Sequence, residues 1–193
     1  MLAIEISVGS KSFGRMIIMK GLVHIYTGNG KGKTTAAIGL GVRACGSGMN
    51  VMLVQFLKSA PTGELKSLEL LNPTFLVCRT TESRKFTWDM DENEKQQTSQ
   101  EQREMLRYAA TEAASGRIDM LILDEVMGAI TSGMLDLDAV ADFIKTKPDK
   151  IEIVMTGRNA PHELIEIADY VSEIQEVKHP AQGGIMARRG IEY

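Results

Sequence analysis

Residues 27–35 read Thr-Gly-Asn-Gly-Lys-Gly-Lys-Thr-Thr. Without Cβ atoms, Gly28, Gly30 and Gly32 let backbone amides turn toward a bound anion, with Asn29 and Lys31 carried between them. Lys33 brings a full positive charge to the distal phosphates of a nucleotide, and Thr35 follows in the same turn. Thr34 offers a hydroxyl to Mg²⁺ or Mn²⁺; Mg²⁺ keeps several waters and takes few protein ligands. The run departs from G-x-x-x-x-G-K-[ST] at its first position, Thr27. A dinucleotide-binding G-x-G-x-x-G would require glycine where Lys33 stands.

Context supports a phosphate loop. An apolar run, 22–26, precedes it and a small-residue run, 36–40, follows it, so strand, loop and helix come in the required order. The helix N-terminus adds partial positive charge at the same place.

A second cluster lies about 90 residues further along. Leu121-Ile122-Leu123 ends in Asp124-Glu125, the Walker B pattern of an apolar strand closed by carboxylates. One of the two should serve the metal, directly or through water; in an ATP hydrolase Glu125 would orient an attacking water. Three cations are further candidates for phosphate: Arg43 on the helix after the loop, Lys58 after the second strand, and Arg158 in Thr156-Gly157-Arg158. Each reads equally well as an ordinary exposed charge. His24, His162 and His179 lack metal-ligand spacing and read as structural or surface residues.

The elements that must position these groups alternate. Apolar strand signals at 51–57, 74–78, 118–123 and 151–155 are nearly continuous, which predicts burial on both faces. The segment 170–177 alternates more and reads as an edge strand. Asp89 with Glu92 resembles a capping box that opens a long helix closed by Gly116. The first half of that helix is so polar that it is expected to face solvent. Asp136 caps a helix carrying Val140, Phe143 and Ile144 that must stop before Pro148, and Asn159 with Pro161 marks another start. The expected fold class is α/β, a RecA-like P-loop domain whose mostly parallel sheet is flanked by helices. Residues 19–193 form the expected catalytic domain; residues 1–18 are an extension, either a β-ribbon or an upstream start.

Composition narrows the function classes. The 193 residues are 44% apolar and 24% charged with a net charge of −3, which argues against nucleic-acid binding by bulk charge. No apolar run approaches the roughly 20 residues of a membrane helix. Two isolated cysteines, Cys45 and Cys78, fit buried thiols in a reducing cytoplasm.

The ordered set of motifs resembles the P-loop type of ATP:corrinoid adenosyltransferase, also called cob(I)alamin adenosyltransferase. The resemblance runs from about Lys20 to Tyr193 and rests on the run 28–35, Val54-Gln55-Phe56-Leu57-Lys58, Phe86-Thr87-Trp88, Asp124-Glu125, Thr156-Gly157-Arg158, the segments 168–173 and 177–179, and Gly190-Ile191-Glu192-Tyr193. It implies that Co(I) of a corrinoid such as cobalamin or cobinamide attacks the ribose 5′ carbon of ATP, releasing triphosphate. It also implies a homodimer, with a reductase and an adenosylcobalamin-dependent acceptor enzyme as partners. On its own, Trp88 reads as a loop aromatic anchored on the core. By resemblance, Phe86 and Trp88 lie against the lower axial face of the corrinoid, where they disfavour a cobalt ligand and ease reduction to Co(I). Two departures stand out. Residues 1–18 differ from the polar helical extension of longer members, and 126–130 lacks aromatics that some relatives carry. The rival readings are a small P-loop ATPase or phosphotransferase, and a non-catalytic nucleotide or corrinoid carrier.

Overall fold

The computed structural model describes residues 20–58, 60–80 and 89–192. Among these residues six strands, β1 (Val23–Thr27), β2 (Val51–Gln55), β3 (Phe75–Arg79), β4 (Met120–Asp124), β5 (Glu152–Thr156) and β6 (Tyr170–Glu173), form one sheet. Their order is β3-β2-β4-β5-β1-β6, and every pairing is parallel. The helices are α1 (Lys33–Gly46), α2 (Gly63–Glu69), α3 (Glu92–Ser115), α4 (Val126–Thr131), α5 (Leu137–Thr146) and α6 (His162–Ile165). This is the expected α/β, RecA-like P-loop architecture, and its sheet is wholly parallel rather than mostly so.

Side chains of a strand alternate between faces, and here the alternation divides the core in two. Met52, Val54, Leu121, Leu123, Ile153 and Met155 point to one side, where α3 and α5 cover them. Val51, Leu53, Met120, Ile122 and Val154 point to the other, against α1 and α2. Fully burying an aliphatic side chain contributes about 1.5–3 kcal/mol, so β2 and β4, buried at every position, anchor the sheet. The phosphate-loop strand β1 lies between β5 and β6 in the same sheet.

Four expectations are corrected. β3 is an outer strand: Leu76 and Val77 are exposed, because nothing pairs beyond it among the described residues. β6 is the other edge, as expected, but the chain leaves the sheet after Glu173 rather than running on to 177. α3 is opened by a capping box of Asp91 and Glu94, not Asp89 and Glu92. Its polar first half is partly interior: Thr98 and Gln102 are buried, Ser99 donates to the Met134 carbonyl, and Gln102 accepts from the Leu57 amide. Ser99 and the Gln102 carbonyl oxygen thus enter the interior with partners, while the buried Gln102 Nε2 has none among the described residues.

Other readings hold. Gly116 ends α3 in a left-handed conformation, the Asp136 side chain caps α5, and Pro161 precedes α6. Cys45 and Cys78 are free thiols, half-buried rather than buried, and burial pushes both pKa values up. Among the described residues no helix is long and apolar enough to cross a membrane. Residues 1–18, Phe86 and Trp88 lie outside the described residues.

Candidate active site

The strands of a parallel sheet all deliver their C-terminal ends to one rim, and register decides what meets there. Gln55 of β2 lies opposite Asp124 of β4, and Thr156 of β5 lies opposite Tyr26 of β1, one residue before the loop strand ends. Gln55, Asp124 and Thr156 share the parity of Leu53, Ile122 and Val154, so all three project to the α1 side of the sheet. There α1 begins, with Thr34 in its first turn.

The result is a buried polar knot around Asp124, which has 0% exposure. Thr34 Oγ1 donates to Asp124 Oδ1 at 2.8 Å, and Thr156 Oγ1 donates to the same oxygen at 2.7 Å. Lys58 Nζ donates to Asp124 Oδ2 at 2.7 Å and to Thr34 Oγ1 at 3.0 Å. Gln55 Nε2 completes the set, 3.2 Å from Oδ2. A carboxylate this deep needs such compensation, since an unpaired buried charge is expensive.

The phosphate loop beside it is shaped by two different demands. Gly28 and Gly30 sit against the chain that leaves β6: a Cβ at Gly28 would come within 2.4 Å of the Ile174 carbonyl, and one at Gly30 within 2.8 Å of Gln175. The Gly30 amide donates to Ile174 O at 2.7 Å. Gly32 has open space but a φ of 117°, so there the left-handed backbone is what requires glycine. Lys33 curls back over the loop, donating to the Gly28 and Gly30 carbonyls at 2.7 and 2.8 Å. Burial, then the neighbouring Arg158 charge, lowers the Lys33 pKa; Lys58 adds to the lowering and Glu125 opposes it.

The three non-glycine residues of positive φ among those described, Leu57, Glu125 and Asn159, follow the ends of β2, β4 and β5. Backbone strain is thus concentrated along the rim. Glu125 is at φ 62° and lines a cleft of about 940 Å³ together with the phosphate loop. Asn29, Lys31, Thr35, Lys58 and Arg158 reach the same cleft. Arg43 does not: it lies in the last turn of α1, at the far end of that helix, and is exposed.

The family model for the ATP:corrinoid adenosyltransferases BtuR/CobO/CobP matches residues 19–193. The chain belongs to this family. It is 37% identical over 175 residues to the corrinoid adenosyltransferase of Escherichia coli K12, covering 90% of this chain and 86% of that protein. Identity is 36% over 175 residues to corrinoid adenosyltransferase CobA of Salmonella typhimurium, covering 90% and 86%. With the Pseudomonas aeruginosa corrinoid adenosyltransferase it is 35% over 175 residues, covering 90% and 84%. The flagellar accessory protein FlaH from Methanocaldococcus jannaschii shares the fold, with a TM-score of 0.51 at 16% identity over 80% of this chain and 71% of that one.

In this adenosyltransferase-family chain the cleft also takes a wall that residue types alone do not reveal. His179, Gly190, Ile191 and Glu192 line it, so His179 is a cleft residue. Lys31 Nζ donates to the Ile191 carbonyl at 3.1 Å and to Glu192 Oε1 at 3.3 Å. Arg188 holds Glu192 from the other side, and these hydrogen bonds take the Glu192 carboxyl down to about 2. Gln55 and Thr156 likewise stand within quoted motifs without being singled out as site residues. No group of three or more His, Cys, Asp or Glu that could hold a metal by itself occurs among the described residues.

Proposed function

We propose that this chain transfers the 5′-deoxyadenosyl group of ATP to the Co(I) of a corrinoid of the cobalamin or cobinamide type. The cobalt electron pair forms a bond to the ribose 5′ carbon as the C5′–O bond breaks. Triphosphate leaves with the bonding electrons, and the cobalt becomes formally Co(III). The observation that carries this reading is the phosphate loop joined through Thr34 to the buried Asp124, within a family defined by that reaction.

The chain's own groups suit the leaving group. Phosphate oxygens replace the Gly28 and Gly30 carbonyls as partners of Lys33, and Arg158 lies within electrostatic reach of that lysine. Cations preorganised where charge develops stabilise a transition state more than a ground state. Co(I) is a strong nucleophile already, so the protein's task is orientation and exclusion of water rather than activation.

The seat for Mg²⁺ or Mn²⁺ can be tested on the geometry. The Lys58 ammonium bridges Thr34 Oγ1 and Asp124 Oδ2, a cation standing between a hydroxyl and a carboxylate. Hard oxygen donors of this sort suit such an ion, which usually keeps most of its waters. Thr34 would hold the metal together with Asp124 or Glu125, directly or through water. When bound, it would neutralise phosphate charge. Phe86 and Trp88 are the proposed corrinoid contacts. We further propose residues 19–193 as one catalytic domain with 1–18 as an extension, a homodimeric cytoplasmic protein, and partnership with a reductase and an adenosylcobalamin-dependent acceptor enzyme.

The test is anaerobic incubation with ATP, Mg²⁺ and chemically reduced cob(I)alamin in dim light. A light-sensitive adenosylcorrinoid is the expected product. ADP and phosphate with an unaltered corrinoid would instead make the chain a small ATPase.

A further inference from the structure

Thr156 is the last residue of β5 and has 0% exposure. Its single hydroxyl is used twice. It donates to Asp124 Oδ1 at 2.7 Å and accepts from the Glu125 amide at 2.9 Å. One side chain on a neighbouring strand therefore grips both members of the acid pair, one by its carboxylate and the other by its backbone.

The second grip falls on a strained residue. Glu125 has φ 62° and ψ 22°, a left-handed conformation that non-glycine residues rarely adopt. That conformation ends β4 abruptly and starts α4. The Glu125 carboxylate then folds over Gly128, where a Cβ would come within 2.8 Å of Oε1. The same carboxylate stays close enough to Lys33 to oppose the lowering of its pKa. Thr156 is itself held in place: the next residue, Gly157, presses so closely on α4 that a Cβ there would lie 2.6 Å from Met127 Cβ. With β5 packed against α4, the Thr156 hydroxyl is held where the part-buried Glu125 amide donates to it.

We propose that Thr156 is a positioning residue whose hydroxyl locks the left-handed turn at Glu125 and so aims that carboxylate into the nucleotide cleft. It touches no substrate; it acts through Glu125. This rests on the nucleotide-dependent reaction proposed above, and the test separates the two. Side chains that orient a metal- or ligand-facing group typically change affinity or activity about 10- to 100-fold when lost.

Thr156→Val keeps the shape and removes the hydroxyl. It should lower kcat at least about tenfold while the KM for ATP stays within about threefold, and Thr156→Ser should recover most of the loss. In a Glu125→Gln background, Thr156→Val should add less than about a twofold further loss, because the residue through which it acts is already disabled. ATP binding by calorimetry, without corrinoid or turnover, supplies the independent readout: Thr156→Val should raise the Mg²⁺ concentration needed for half-maximal binding about tenfold. Equal losses from Thr156→Val in both backgrounds would overturn the proposal, as would an unchanged Mg²⁺ requirement. If the valine variant folds poorly, Thr156→Ala against Thr156→Ser gives the same contrast of hydroxyl absent and present. A parent chain that makes no adenosylcorrinoid would defeat the proposed reaction but leave the Mg²⁺-dependent binding result, read in the parent and the Glu125→Gln backgrounds, to decide on Thr156.

Discussion

Two carboxylates stand at opposite ends of the sheet, and their surroundings differ in kind. Glu152 opens β5 at the N-terminal edge. It accepts from the Leu22 amide at 2.7 Å and pairs with His24 Nε2, whose ring stacks on Tyr170 at 4.6 Å. These contacts tie the start of β1 to β5. Asp124 closes β4 at the C-terminal edge, and its partners are all side chains: Thr34, Lys58, Thr156 and Gln55. Three of those four stand at or beside the phosphate loop, or hold the neighbouring Glu125. A hydrogen-bonded carboxylate at a strand end is thus no site by itself. It becomes one where its partners have a second task and a cleft to perform it in.

The contrast can be broken from either end. Lys33→Ala should have the largest effect, a loss of about 10²–10³-fold in kcat/KM, since it removes the full charge facing the leaving group. Initial rates with saturating corrinoid check it. Because the Lys33 pKa is lowered, its charge should be lost below the ordinary lysine value of 10.5. ATP affinity in the parent should therefore decline on the alkaline side earlier than in Lys33→Arg, as titration calorimetry across pH would read.

Asp124→Asn comes next. It removes the charge that compensates Lys58 and weakens Thr34 as a metal seat. Activity should fall about 100-fold, and the variant should lose about 1–3 kcal/mol of stability, because the hydrogen bonds from Lys58 and Gln55 lose their charged acceptor. Denaturant unfolding and the kinetic assay on the same preparation separate the two losses.

Glu152→Gln sharpens the comparison from the other edge. Activity should stay within about twofold, while Tm falls by about 2–4 °C, the equivalent of roughly 1 kcal/mol in a chain of this size. Burial alone would raise the Glu152 pKa, but the His24 and Leu22 hydrogen bonds outweigh it and the net shift is downward. Its contribution to stability is accordingly full above the unfolded carboxyl value and is lost as pH falls through the lower folded value. The Tm gap between parent and Glu152→Gln should therefore shrink in acid.

The smallest effect is expected at the exposed C-terminal wall. Glu192→Gln should change the KM for ATP by less than about twofold, and high salt should erase the difference, as for other exposed ion pairs. The Glu192 carboxyl, at about 2, keeps its contacts to Arg188 and Lys31 through mild acid and loses them only near that pH.

The reach of the sequence follows the same division. The phosphate loop and Asp124-Glu125 are legible because each is local, a run of residue types beside a strand. Thr156 and Gln55 are not, because a polar residue closing an apolar strand acquires its role from register across β2, β4 and β5, and no single strand carries that information. The α3 start illustrates a degenerate local signal. Asp89 and Asp91 each have a glutamate three residues later, Glu92 and Glu94, and the second pair forms the box. Gln102 misled in another way: it reads as solvent-facing, yet it is buried because the Leu57 amide at the end of β2 needs an acceptor. The wall at 176–192 has no periodic pattern to announce it, and its Lys31 tether joins residues from opposite ends of the described chain.

The most direct measurement follows the 5′ carbon itself. ATP carrying ¹³C at the ribose 5′ position would be supplied with Mg²⁺ and reduced cob(I)alamin under anaerobic conditions, and the corrinoid and phosphate products analysed together. Label bonded to cobalt, with one intact triphosphate released per corrinoid, is the expected result. Label retained in ADP, with phosphate released and the corrinoid unlabelled, would contradict adenosyl transfer.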